Sequence, residues 1–79
     1  MSEQRLKYVV DMANQIAVNL LHGKEEQQCV VEISYHINRF WAPSMRNQLA
    51  EAANNGHYQL EAMVILALEE INTTIDNER

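Results

Sequence analysis

Pro43 is the single proline in a chain whose apolar residues otherwise recur at helical spacing almost from end to end. The residue before a proline is pushed out of the α region by a clash with the proline ring. Ala42 should therefore be extended, and a helix arriving from upstream should end near Trp41. Proline itself suits the first position of a new helix, where its missing N–H costs nothing. The chain must turn a corner at this point. The stretch Arg39-Phe40-Trp41-Ala42-Pro43-Ser44-Met45-Arg46 holds its one Phe, one Trp and one Pro, flanked by two of its six Lys/Arg.

The periodicity on either side predicts four helices. The first runs from about Glu3 to His22, with Leu6, Val9, Val10, Ala13, Ile16, Ala17, Leu20 and Leu21 on one apolar stripe. Ser2 is its expected N-cap, Glu3 suits the positive end of its dipole, and Gly23 suits a left-handed C-terminal stop. The second runs from about Glu25 to Phe40, with Val30, Ile33, Ile37 and Phe40 as its inner seam. The link before it is short, which makes the two helices antiparallel neighbours. The third runs from Pro43 to about Asn54, with Met45, Leu49, Ala52 and Ala53 inward, and stops at Asn54-Asn55-Gly56. The fourth runs from about Tyr58 to Asn72. Leu60, Val64, Ala67, Leu68 and Ile71 form its inner face, and Met63, Ile65 and Leu66 widen its apolar surface beyond one stripe. A helix apolar on more than one side is buried or meets a partner.

The expected fold is all-α, a small bundle of about four helices with a Pro-marked corner between the second and third. Two Gly and one Pro are too few for the turns of an all-β fold. Residues 1–72 are expected to form a single helical domain and 73–79 a frayed tail with little to bury. A chain of 79 residues buries only about 60% of its unfolded surface, so a partner would help to stabilise it.

Composition excludes several function classes. Six Lys/Arg stand against eleven Asp/Glu, a formal net charge of −5, which disfavours binding to a nucleic-acid backbone. The longest apolar run, Ala62 to Leu68, falls far short of the ~20 residues needed to span a bilayer. Residues 1–8 are polar and precede no cleavage-site pattern, so no signal peptide is expected. Cys29 is the sole cysteine, which rules out an internal disulfide and fits a reducing compartment. The expectation is a soluble, cytoplasmic protein.

Catalytic chemistry has few candidates. No phosphate-cradling glycine motif and no C-x-x-C is present. Glu32, Ser34 and His36 lie too close along one helix to form a triad, because neighbours that near point to different faces. Glu32 and His36, four apart, are more simply a surface contact than a metal pair, and His22 complements a helix C-terminus. Cys29 reads as a small buried hydrophobe. No catalytic, cofactor-binding or metal residue is therefore expected. The corner is the remaining motif. Phe40, Pro43 and Met45 are expected to build it, leaving Arg39, Arg46 and an edge of Trp41 to face outward. Trp, Arg and Met are enriched at interface centres. Arg39, Trp41, Arg46, Ile65 and Leu66 are thus the candidate partner-binding residues, with self-association through the fourth helix as one outlet.

Two segments carry a family resemblance. Met12-Ala13-Asn14-Gln15-Ile16-Ala17 matches a MAN-x-IA pattern. His36-Ile37-Asn38-Arg39-Phe40-Trp41-Ala42-Pro43-Ser44-Met45-Arg46 matches H-(L/I)-x-R-F-W-(D/A)-P-x-M-R. Together they resemble the delta subunit of soluble NAD-dependent formate dehydrogenases, over roughly residues 8–70. The resemblance implies a non-catalytic accessory subunit that binds the large subunit and supports assembly or cofactor maturation. It implies that the large subunit, not this chain, carries bis-molybdopterin guanine dinucleotide and iron–sulfur clusters. The chain departs from many relatives at Ala42, where an Asp would cap the third helix; Ser44 is the expected partial substitute. A helical homodimeric adaptor unrelated to formate metabolism is the alternative.

Overall fold

The computed structural model describes residues 3–21 and 23–72, the Glu3 side chain excepted. The expectations for Ser2, His22 and the 73–79 tail lie outside the described residues. The elements are α1 (Glu3–Leu20), α2 (Glu26–Phe40), α3 (Pro43–Asn55) and α4 (Ala62–Ala67), the last running into a 3-10 turn at Leu68–Glu70. Among the described residues there is no strand. α1 packs on α3 and α2, and α2 packs on α4.

The apolar stripes meet as their spacing dictates. Leu6, Val9, Val10, Ala13 and Ala17 from α1 join Cys29, Ile33 and Ile37 from α2, Leu49 and Ala52 from α3, and Met63, Val64 and Ala67 from α4. Side chains the size of Ile33, Ile37 and Leu49, fully enclosed here, each contribute about 1.5–3 kcal/mol when removed from water. The Cys29 thiol donates to the Leu20 carbonyl at 3.3 Å, meeting one of the orphan carbonyls at the end of α1. Leu21 departs from the expected stripe. It is about half exposed because α1 ends one residue earlier. Gly23 then takes the left-handed conformation, φ 67°. Lys24 bonds Glu32 at 2.6 Å across this link. That bond, with one from Gln28, holds the Glu32 carboxyl below its usual range.

Pro43 acts as its chemistry requires. Ala42 is extended (φ −66°, ψ 151°), Pro43 opens α3, and Gly56 at φ 74° closes it. The expected stand-in by Ser44 does not occur: α3 has no side-chain cap.

The fourth helix is shorter than its periodicity predicts. It begins at Ala62, not Tyr58, and Glu61 is extended (φ −59°, ψ 144°). Asn14 on α1 supplies the physical reason. Its side chain donates to the Gln59 carbonyl at 2.9 Å and accepts from the Glu61 amide at 2.8 Å. Those backbone groups are committed to α1 and cannot start a helix. Asn38 on α2 does the same at the far end, donating to the Glu70 carbonyl at 2.8 Å and accepting from the Asn72 amide at 2.7 Å. α4 is a short helix slung between two asparagine clips.

Candidate docking surface

The corner reverses the expected roles of its two aromatics. Phe40, placed on the inner seam by spacing, is 65% exposed, whereas Trp41 is 5% exposed and part of the core. Phe40 is the last helical residue, with no further turn to carry its side chain inward. Trp41 is already extended (φ −89°, ψ 142°) as the chain bends toward Pro43. The change of backbone geometry brings the indole onto the core, and it is also the larger apolar group to bury.

The two arginines part company as well. Arg46 is half-buried and turns to the backbone. Its Nη1 donates to the Trp41 carbonyl at 2.7 Å, with a long 3.5 Å contact to the Asn38 carbonyl, and its Nε donates to the Asn72 carbonyl at 2.7 Å. A cation from the next helix thereby meets carbonyls at the C-terminus of α2, where the helix dipole favours positive charge. Arg46 is a strut of the corner, tying α2, α3 and the chain beyond α4.

Arg39 does face outward. Its guanidinium carbon lies 5.9 Å from the Tyr35 ring centre and 5.7 Å from that of Phe40. Nη1 donates to the Tyr35 hydroxyl at 3.3 Å. Such cation–π contacts are worth about 0.5–1 kcal/mol each at exposed sites. The half-buried His36 ring rests on Phe40 with centres 4.9 Å apart. Tyr35 is 61% exposed, and Val31, one turn earlier, is exposed too. Val31, Tyr35 and Arg39 recur every four residues, on the side of α2 away from Ile33 and Ile37. The patch is thus an arginine pre-set between two aromatic faces, with little side-chain entropy left to lose on binding.

Ile65 and Leu66 are also about half exposed. Leu66 faces α2 across a cleft of about 360 Å³ that it lines with Val30, Gln27, Glu26, Glu69 and Glu70. Gln27 and Val31, four apart, run from this cleft toward Tyr35.

Spacing alone would have found Tyr35. Asn14 stands out only as the Asn of the MAN-x-IA pattern, and Asn38 carries no signal, because an asparagine that binds backbone looks in sequence like any polar surface residue. Among the described residues, no group of three or more His, Cys, Asp or Glu is placed to hold a metal ion. Nor is any helix among them long and apolar enough to cross a membrane.

Fold and surface together define a small all-α bundle presenting an arginine–aromatic patch. The model of the family described as "NADH-dependant formate dehydrogenase delta subunit FdsD" matches residues 8–68, and the chain belongs to that family. Nothing among curated proteins or solved structures matches it.

Proposed function

We propose that the chain is a non-catalytic accessory subunit of an NAD-dependent formate dehydrogenase. It docks in the cytoplasm on the large subunit and supports assembly or cofactor maturation. The large subunit holds bis-molybdopterin guanine dinucleotide and the iron–sulfur clusters, and this chain binds no cofactor of its own. The observation that carries this reading is the family match over residues 8–68. It spans both the Asn14 segment and the whole corner.

The geometry favours Arg39, with Tyr35 and Phe40, as the direct contact. Arg pairs bidentately with carboxylates, and aromatic–Arg clusters dominate binding energy at interface centres. Trp41 and Arg46 serve docking by holding the corner in shape. Ile65 and Leu66 extend the apolar contact along α4. Arg39→Glu combined with Phe40→Ala alters two exposed side chains and leaves the core intact. The double variant is expected to weaken co-purification with the large subunit by roughly 30-fold, the loss of about 2 kcal/mol at a hot spot. Full co-purification by a normally helical variant would place the docking face elsewhere.

The second reading, self-association through α4, is favoured by the exposure of Ile65 and Leu66. In the form of a homodimeric adaptor unrelated to formate metabolism, it has the family match against it.

A further inference from the structure

The cleft of about 360 Å³ between α2 and α4 has walls of two kinds. Val30 and Leu66 make it apolar. Glu26 and Gln27 border it from α2, and Glu69 and Glu70 from the 3-10 turn that follows α4. We propose that this cleft receives a lysine- or arginine-bearing segment of the large subunit. The inference rests on the docking reading above for the identity of that partner, and adds to it a second contact of opposite charge to that of Arg39.

The apolar wall is the first observation. Leu66 is half exposed, and Val30 beside it is only partly covered by the core. An occupant of the cleft would take both out of water.

Charge decides which occupant. Among the described residues, no cation pairs with Glu26, Glu69 or Glu70. Lys7 is held by Asp11 and Lys24 by Glu32. Arg46 is engaged by main-chain carbonyls, and Arg39 lies against Tyr35 and Phe40 toward the other end of α2. Glu69 and Glu70 also stand side by side at the C-terminal end of the run from Ala62 to Glu70, which has no basic residue in its last turn. The helix dipole favours positive charge at that end. The cleft suits a cation that the described part of the chain does not supply.

The form of the cation follows from the spread of the carboxylates. Among the described residues, no three acidic groups are placed to hold a metal ion. The negative charge is distributed round an apolar floor, not focused on a point. A long basic side chain matches that pattern. Its methylene stem covers Val30 and Leu66 while its head reaches the carboxylates, and an arginine can bond one of them bidentately. A segment of a subunit already engaged through Arg39 also enters at high effective concentration, which a free amine does not.

The test titrates an acetylated, amidated helical peptide, with leucine and arginine along one face, into the isotope-labelled full chain. Saturable shifts at the Gln27, Leu66 and Glu70 amides are expected, lost when neutral citrulline replaces every arginine. Glu26→Gln, Glu69→Gln and Glu70→Gln together should raise the dissociation constant at least about tenfold, the loss of one hydrogen bond to a charged group. All three side chains are exposed, so the fold is expected to survive. The same triple variant should co-purify with the large subunit at least about tenfold more weakly. No saturable shift, equal shifts with the citrulline peptide, or undiminished co-purification overturns the proposal. So does a dimer of the isolated chain that the triple variant dissolves, since a second copy would then be the occupant. Full co-purification of the Arg39→Glu, Phe40→Ala variant would remove the corner as the docking face, and the triple variant would still read the cleft.

Discussion

The adjacent pair Phe40 and Trp41 shows how far one residue decides what faces a partner. Periodicity places Phe40 inward, since it continues the spacing of Ile33 and Ile37. That extrapolation assumes a helix with somewhere further to go. The chain becomes extended at Trp41, and the next side chain takes the buried place. The proline that forces the bend was legible in the sequence; the consequence for side-chain direction was not, because helical phase ends where the helix does. The two substitutions should therefore differ sharply. Trp41→Ala is expected to cost about 3–5 kcal/mol, as for other buried aromatics, out of a total of roughly 4–12 kcal/mol for a chain this size. Phe40→Ala should change stability by no more than about 0.5 kcal/mol, as at exposed positions. Chemical denaturation of the two variants checks this, and similar midpoints would show that the indole is not part of the core.

Among the elements, α1, α2 and α3 were legible to within about two residues, because their stripes are regular and Gly23, Pro43 and Gly56 punctuate them. α4 was not. Its periodicity extends through Leu60 and Ile71, and both are packed inward, yet neither lies in the helix. The inward face was correctly placed while the backbone was not, since hydrophobic spacing reports burial and is blind to hydrogen bonds made by distant side chains. The clips from Asn14 and Asn38 override helical propensity at both ends. Asn38→Ala removes the partners of the Glu70 carbonyl and the Asn72 amide. It should loosen residues 68–72 by about 1–3 kcal/mol, the net worth of two ordinary hydrogen bonds. Hydrogen exchange is the measurement: faster exchange confined to these amides, with α1 and α3 still protected, is expected. Uniformly faster exchange would mean that Asn38 supports the whole bundle.

For the molecule as a whole, small size and uncovered apolar surface belong together. Val31, Tyr35, Phe40, Ile65 and Leu66 are large side chains left in water by a domain that has little core to spare. If α4 covers itself with a second copy, the isolated chain will size as a dimer and Leu66→Glu will return it to a monomer. A monomer at every concentration would leave that surface to the large subunit alone. The apolar excess of the fourth helix was legible in the sequence, and so was its uncovered part, since Ile65 and Leu66 lie outside the inner face by spacing and stay exposed; Met63, grouped with them, is buried instead. The three side chains that secure this region, Asn14, Asn38 and Arg46, share one habit: they hold it by main-chain carbonyls and amides. Such a grip takes no account of what Gln59, Glu61, Glu70 or Asn72 carry, and all four are exposed. Those positions are free to drift. A lineage can rewrite them to follow changes on a neighbouring subunit, one residue at a time, without loosening the frame that displays them.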